Sequence, residues 1–297
     1  MVDSALISSA DSSSLSVSAG RYLRRVLQSL LGESEAMIPA AGFPGPGQVH
    51  DIRVNMKRAR AILKLLRASP DAWYYKRENA ALRDISALFS HSREADVLKK
   101  TLKNLSKKYP DTFNNTAIAW LTEVSKHVIS PPDSRSVRLE LAAEAGDRLR
   151  RAWYRLGFLN LRTIDREVLL DGLWNSFLRA DNEYHKALKT KTPEAIHEFR
   201  KRVKDLLYQV RFFADYNPGH FEKMHAELNT LGSTLGKCND LSVAYGIVSA
   251  NRPHAGGTDI TALLKTITDE RNKLLSSAIP RAEKVFSTFY SGSHNAL

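Results

Sequence analysis

The chain has 297 residues, of which 43% are hydrophobic, so it can bury the core of one large domain or of two domains of ordinary size. Its 44 Lys and Arg residues exceed its 32 Asp and Glu residues and give a net charge of +12, which favours an acidic partner such as nucleic acid, an anionic membrane or another polyanion. The single cysteine, Cys238, excludes an intramolecular disulfide and an all-cysteine metal site, and no apolar stretch is long enough to span a membrane.

The N-terminal residues 1–18 are rich in serine and contain two aspartates but no lysine or arginine, which predicts a disordered tail. This tail lacks the basic start of a secretion signal and the arginine content of an organellar transit peptide. We therefore expect a cytoplasmic protein without membrane insertion, whose folded part begins at about residue 19.

The rest of the chain has the composition and the apolar spacing of α helices. Leu, Ala, Arg, Lys and Glu dominate, apolar residues recur at intervals of three and four, and no convincing run alternates as a strand would. Helix-breaking sequences separate roughly eight to ten helical segments. These breakers lie at 41–47, Pro70, Pro110, 130–133, 217–219 and 254–257. Thr192 and Pro193 predict a helix start, with threonine as the N-cap and proline at the first helical position. The sequence thus predicts an all-α fold.

One basic phrase occurs twice in these helices. HDIRVNMK begins at His50 and HEFRKRVK begins at His197, 147 residues later, and both read His-x-x-Arg-x-x-x-Lys. At ~100° per residue, each helix carries an apolar stripe beside a basic row. The apolar stripes are Ile52, Met56, Ala59, Leu63 and Leu66 in the first helix and Phe199, Val203, Leu206, Val210 and Phe213 in the second. The basic rows are His50, Arg53, Lys57 and Lys64 in the first helix and His197, Arg200, Lys204 and Arg211 in the second. Two helices of one design predict an internal repeat.

A second phrase follows each of the two helices. LFSHSREADVL at 88–98 is similar to LGKCNDLSVAY at 235–245, and Arg93-Glu94 falls on Asn239-Asp240, an offset one residue shorter than the 147 residues of the first phrase. Such a shift is expected where a loop differs in length. We therefore expect two structurally equivalent halves, about 19–160 and 161–297, with their boundary near 156–166.

Together these phrases resemble the signature motifs of the CHAD domain, the conserved histidine α-helical domain. The resemblance rests on the motif at 50–60, its second copy with Tyr208, and the stretches at 93–97 and 236–240, and it covers nearly the whole chain after residue 18. It implies two antiparallel four-helix bundles related by a pseudo-twofold axis. It also implies non-catalytic binding of inorganic polyphosphate in a basic groove or pore between the halves, and an association with polyphosphate granules.

The basic rows and the resemblance together predict a polyphosphate site of histidines, arginines, lysines and one tyrosine. Its residues are His50, Arg53, Lys57, Arg58, Arg60, Lys64 and Arg93 in the first half and His197, Arg200, Lys201, Lys204, Tyr208, Arg211 and Lys237 in the second. Arginine offers a planar fork to two phosphate oxygens, and lysine offers a mobile point charge. The histidines can donate to a phosphate oxygen, or alternatively they make a helix–helix contact. The acidic motif residues are candidates for tethering the basic side chains.

Catalysis has little support in the sequence. No Gly-rich phosphate loop and no His-Glu-x-x-His motif occurs, so we expect no catalytic residue, no metal site and no cofactor. A metal-dependent phosphohydrolase is a less favoured alternative, because it would need carboxylates that hold Mg²⁺. Glu94, Asp96 and Asp240 are the motif candidates for that role.

Non-specific nucleic-acid binding and a protein–protein adaptor are the main alternative functions. A basic helical chain fits nucleic-acid binding, but the rows carry few aromatic residues for stacking and no Asn or Gln set for base edges. Two further basic clusters, at 148–155 and 99–108, are candidates for extending the groove, although the lysine run at 99–108 favours a solvated face. Trp153, Trp174 and Tyr184 are expected in the core.

Overall fold

The computed structural model of the chain describes residues 19–69, 72–89, 93–128, 134–159, 164–216, 220–251 and 260–296. These residues form ten α helices and one short 3-10 helix, and no strand occurs among them. The helices are α1 (Ala19–Ala36), α2 (Pro46–Leu63), α3 (Ala72–Ala87), α4 (Arg93–Lys108), α5 (Asn115–Val128), α6 (Arg135–Gly157), α7 (Arg166–Thr190), α8 (Pro193–Tyr216), α9 (His220–Ala250) and α10 (Ile260–Ala296), and the 3-10 helix Lys64–Leu66 continues α2. The predicted all-α fold is confirmed.

Local sequence signals place several helix starts. The predicted N-cap of α8 is present, since the backbone N–H of Ala195 donates to Thr192 Oγ1 at 3.3 Å and the helix begins at Pro193. α2 begins similarly at Pro46. The predicted tail at 1–18 and four of the predicted breakers, at Pro70, 130–133, 217–219 and 254–257, lie outside the described residues.

Two compact units make up the chain, and both are discontinuous in sequence. The first contains Met1–Leu88 and Ser136–Ser176, and the second contains Phe89–Arg135 and Phe177–Leu297. The helices α4 and α5 therefore belong to the second unit, and α7 contributes to both. The predicted halves with a boundary near residue 160, and their arrangement as two four-helix bundles, stay predictions.

The first unit is built around the apolar stripe of α2. All five stripe residues have no exposed surface: Ile52, Met56, Ala59, Leu63 and Leu66. α2 packs against α1 and α3. The first part of α7 approaches the end of α2 so closely that a Cβ atom on Gly172 would lie 2.1 Å from the carbonyl oxygen of Leu65. Only glycine fits at this crossing, because the atom that a methyl group would meet belongs to the backbone.

A buried carboxylate joins α3 to α6 in the first unit. The Glu78 side chain is 2% exposed, and Arg155 donates through Nε and Nη2 to its two carboxylate oxygens, both at 2.8 Å. Arg77 Nε donates to the same carboxylate at 2.8 Å. The hydrogen bonds to Glu78 raise the pKa of Arg155 above its ordinary value. Because a buried carboxylate needs paired charges, Arg155 stabilises the fold at this point.

The other arginines near the end of α6 also lie beside carboxylates. Ion pairs join Arg148 to Glu144 at 2.5 Å, Arg150 to Glu35 at 2.9 Å and Arg151 to Asp147 at 2.5 Å. Neighbouring carboxylates thus neutralise most of the positive charge of the cluster at 148–155.

The expectation that Trp153 fills the core is wrong, because its side chain is 40% exposed. The buried face of α6 is formed by small and aliphatic residues: Ala142, Ala145, Leu149, Ala152 and Leu156. Trp153 lies at the margin of that face, where part of the indole remains in solvent. Tyr184 is buried as expected, and Trp174 is half-buried.

The second unit is built around α8, α9 and α10. α9 packs against both α8 and α10. The apolar stripe of α8 is buried as predicted: Phe199, Val203, Leu206, Val210 and Phe213 are at most 3% exposed. Aromatic rings stack beside it, with Phe177 4.5 Å from Phe289 and Tyr184 5.3 Å from Phe286 between ring centroids. Cys238 is a buried residue of α9, and burial raises the pKa of its thiol to about 11.

Candidate anion-binding site

The basic residues of α2 form one row, which we call the α2 row: His50, Arg53, Lys57, Arg60 and Lys64. Contacts with α3 position its arginines. Arg53 Nη1 donates to the carbonyl oxygen of Ser86 at 2.9 Å, and Arg60 Nε donates to Asn79 Oδ1 at 3.1 Å. Because Ser86 lies at the C-terminal end of α3, its carbonyl carries part of the negative end of the helix dipole. α3 therefore holds these two guanidinium groups in fixed directions.

The remaining predicted residues of the first half differ in exposure. His50 and Arg58 are exposed, while Lys57 and Lys64 are half-buried. Arg93 begins α4, in the second unit, and its side chain lies outside the described residues. The structure therefore brings the α2 row together on one helix but does not show Arg93 within it.

Residues of one face of α8 form a second row, which we call the α8 row: His197, Arg200, Lys204 and Tyr208. α9 runs antiparallel to α8, and its second phrase faces this row. His197 Nδ1 lies 2.5 Å from Asn239 Oδ1, and a Cβ atom on Gly236 would lie 3.8 Å from Arg200 Nε. With Asn239 in this orientation, Nδ1 of His197 is the donor, and Nε2 donates to an anion only in the imidazolium form. The two motifs of the second half thus form one site.

Lys204 packs against α9 at Gly232. A Cβ atom on Gly232 would lie 3.3 Å from its Cε and 3.4 Å from its Nζ. Burial, and then the neighbouring Arg200 guanidinium, hold the pKa of Lys204 below its ordinary value. Among the described residues, no carboxylate forms an ion pair or hydrogen bond with its ammonium group. Lys204 is therefore a half-buried cation beside a second cation, without a described counter-charge.

The outer predicted residues of α8 have carboxylate partners. Lys201 Nζ lies 2.6 Å from Glu198 Oε1, and the hydrogen bond lowers the pKa of Glu198. Arg211 Nε lies 2.9 Å from Asp215 Oδ1. Lys237 is exposed on α9. These residues differ from the α8 row because their charges are already paired or fully solvated.

Sequence reasoning missed the role of Gly232. The signal was present, because Gly232 and Gly236 are four residues apart and so lie on one face of α9. Small residues at this spacing leave room for a neighbouring helix or its side chains. Here they leave room for the stems of Lys204 and Arg200.

Two further findings concern metal-ion clusters and membrane-spanning helices. Across the part of the chain that the structure describes, no group of three or more His, Cys, Asp or Glu residues could hold a metal ion. Over the same residues, no helix is long and apolar enough to cross a membrane.

Comparison with known proteins identifies the family. The model of the CHAD domain family matches residues 21–249, which is more than half of the chain. The chain belongs to the CHAD domain family. The crystal structure of the CHAD domain from the plant Ricinus communis is similar to this CHAD domain, with a TM-score of 0.52 and 17% sequence identity over 95% of this chain and 93% of that chain. At this identity the likeness shows a shared fold. No curated protein matches the sequence.

Proposed function

We propose that this CHAD domain binds inorganic polyphosphate through the α2 row and the α8 row, without catalysing a reaction. The observation that carries this proposal is the Arg200–Lys204 pair. Two cations lie together, the pKa of the lysine is lowered by burial and by its neighbour, and no described carboxylate neutralises its ammonium group. A bound anion would offset the repulsion between these two cations.

The length of each row favours a chain of phosphates over a single small anion. The α8 row and Arg211 extend over 15 residues, which is about 21 Å of helix. Polyphosphate carries repeated charges along its length and offers no base to stack or to read. A row of fixed guanidinium, ammonium and imidazole groups provides what such a chain can use, namely charge, spacing and hydrogen-bond donors.

Binding without hydrolysis is part of the proposal. The rows themselves consist of cations, imidazoles and a tyrosine, and they include no carboxylate that would hold Mg²⁺ against a phosphate chain. Of the carboxylates in the motifs, Asp240 lies on α9, whereas the side chains of Glu94 and Asp96 lie outside the described residues. In a cell, a receptor of this kind would meet its ligand on cytoplasmic polyphosphate granules.

A titration of long-chain polyphosphate against the full chain, with duplex DNA as competitor, tests this function. The variant Arg53→Ala, Arg200→Ala removes one fixed guanidinium from each row. We expect it to lower the affinity at least about tenfold, which corresponds to about 1.4 kcal/mol. DNA should displace polyphosphate poorly from the wild type, because the rows carry few aromatic residues for stacking and no Asn or Gln set for base edges.

The matched control is Arg148→Ala, Arg151→Ala, which removes the same two charges from arginines that are already paired with Glu144 and Asp147. Its affinity should stay close to that of the wild type. Equal losses in both double variants would reduce polyphosphate binding to an effect of net charge. Equal binding of DNA would instead favour a non-specific nucleic-acid protein.

A further inference from the structure

A groove with an apolar floor and a basic rim lies between α4 and α5 in the second unit. Its volume is about 380 Å³. The floor is formed by Leu102, Phe113, Ile118 and Leu121, and the rim includes Lys99 and Lys103. This groove contains part of the lysine run at 99–108 that the sequence alone favours as a solvated face.

The floor of the groove is the outer side of a packed core. Phe113 and Leu121 are almost fully buried and belong to a cluster with residues of α9 and α10, such as Leu241 and Leu263. Ile118 is 40% exposed, so the floor presents apolar surface to solvent. Because the core holds the floor from below, the groove is preformed and does not need a ligand to open it.

The rim of the groove carries unneutralised charge. Lys99 and Lys103 are exposed and lie one helical turn apart on α4. Neither ammonium group has an ion pair or a hydrogen bond with another of the described residues. At the end of the same helix, by contrast, Lys108 lies 2.6 Å from Glu270. Lys99 and Lys103 are thus exposed cations of α4 without a partner among the described residues, and both lie beside the apolar floor.

We propose that this groove docks an acidic amphipathic helix of a partner protein. An apolar side chain of that helix would fill the floor, and two of its carboxylates, one turn apart, would pair with Lys99 and Lys103. The charges would speed association and select acidic partners, while burial of the apolar side chain would supply affinity.

The apolar floor favours an acidic helix over polyphosphate and nucleic acid. Polyphosphate has no apolar part, so Ile118 and Leu102 would contribute nothing to its binding. Single-stranded nucleic acid would need an exposed aromatic ring for stacking, but Phe113 is only 2% exposed. Docking of a helix here is independent of the α2 and α8 rows.

Selection of displayed peptides against the full chain tests the docking site. The library consists of helical peptides that are randomised on one face. In each round, the peptides that bind the charge-reversed variant Lys99→Glu, Lys103→Glu are removed before the rest are selected on the wild type. We expect the surviving peptides to carry two acidic residues one turn apart beside an apolar anchor, and to bind the wild type at least about tenfold more tightly than the variant, or about 1.4 kcal/mol. Replacing their two acids by lysine should restore binding to the variant.

The matched control is Lys100→Glu, Lys107→Glu, which reverses two charges on the same helix outside the groove. Selected peptides should bind this control as they bind the wild type. The idea is overturned if no peptide survives depletion, if survivors lack the acidic pair, or if both double variants lose binding equally. It is likewise overturned if only vesicles of anionic phospholipid, and no peptide, distinguish the wild type from the charge-reversed variant.

Discussion

Lys204 is a residue whose charge lowers the stability of the folded protein and, in the proposed function, contributes to polyphosphate binding. Its stem packs against Gly232 on α9, while its ammonium group is half-buried beside Arg200. A lysine whose pKa is lower in the folded than in the unfolded chain costs stability at neutral pH. This cost disappears as the pH rises above the unfolded value, which is about 10.4. Such a residue is consistent with a function that needs its charge.

The variant Lys204→Met keeps most of the stem and removes the charge. At pH 7 its free energy of unfolding should equal or exceed that of the wild type, by less than about 1 kcal/mol. This difference should shrink between pH 7 and about pH 10, where the lysine itself becomes neutral. Urea unfolding at the two pH values measures it. Polyphosphate affinity, measured at pH 7, should fall at the same time.

The control for this substitution is Lys201→Met, on the exposed side of α8, where the lysine is paired with Glu198. That variant should gain no stability. Loss of stability in Lys204→Met, with unchanged binding, would mean that the ammonium group of Lys204 has a structural role only.

Gly232 is the residue that lets Lys204 lie against α9. In Gly232→Ala the new methyl group would lie 3.3 Å from Cε of Lys204, so the lysine must move. Alanine is also the better helix former, by up to about 1 kcal/mol. We therefore expect polyphosphate affinity to fall while stability changes little, because the gain in helix propensity offsets the disturbed contact. Urea unfolding and polyphosphate titration together measure the two effects.

Gly246 provides the matched control on the same helix, since a Cβ atom there would meet no atom within 4 Å. Gly246→Ala should stabilise the protein by about 0.5–1 kcal/mol and leave binding unchanged. If the two variants behave alike, the contact between Gly232 and Lys204 does not position the lysine.

At the scale of helices, the sequence predicts which face of a helix is buried. The apolar stripes of α2 and α8 are buried residue for residue, because the stripe of a helix is fixed by its own spacing. The hydrogen bond between His197 and Asn239 was not predicted, because the two residues are 42 positions apart and neither phrase indicates which of its side chains meet. The exposure of Trp153 was missed, because a residue at the margin of a stripe is buried or exposed according to its neighbours.

The second phrase shows a further limit at this scale. In the second half it lies inside the continuous 31-residue helix α9, whereas in the first half it stands at the beginning of α4. Similar residues therefore occupy different helical contexts, and the helix boundaries follow from tertiary packing as well as from breakers. The pairing of Glu78 with Arg155, 77 residues away, likewise has no local signal.

The contact between α4 and α10 predicts how the second unit responds to acid. The Glu270 side chain is 13% exposed and accepts hydrogen bonds from Lys108 Nζ at 2.6 Å and from the Tyr109 hydroxyl at 2.6 Å. Burial raises the pKa of this carboxyl, but the hydrogen bonds outweigh it and leave the pKa below its ordinary value. The contact therefore stabilises the fold above the unfolded pKa of about 4.3, and this contribution is lost as the pH falls through the folded value.

The variant Glu270→Gln should lose about 1 kcal/mol at pH 7, because the ion pair is partly exposed. As the pH falls through the lowered folded pKa of Glu270 the wild type loses the same contribution, so the two stability curves should converge. Urea unfolding from pH 7 down to pH 3 compares them. A constant difference over that range would show that Glu270 acts through packing and not through its charge.

At the scale of the whole molecule, the net charge of +12 indicates less about polyanion binding than does the question of which cations already lie beside a carboxylate. Near the end of α6 each of Arg148, Arg150 and Arg151 lies within 2.9 Å of a carboxylate. Lys204, Lys99 and Lys103 have no such partner among the described side chains. A polyanion gains most from the second kind of cation, since it does not have to displace an existing ion pair.

This distribution predicts a specific dependence on salt. Binding of a flexible polyanion releases about 0.7 counterions for each neutralised charge, so the logarithm of the affinity falls linearly with the logarithm of the salt concentration. Removing two contacts in Arg53→Ala, Arg200→Ala should reduce that slope by about 1.4. Arg148→Ala, Arg151→Ala removes the same net charge but no contact, so its slope should match that of the wild type. Polyphosphate titrations of all three proteins over a range of salt concentrations measure the slopes. Two variants with equal slopes would mean that the polyanion responds to the total charge of the molecule, and the α2 and α8 rows would then have no separate role.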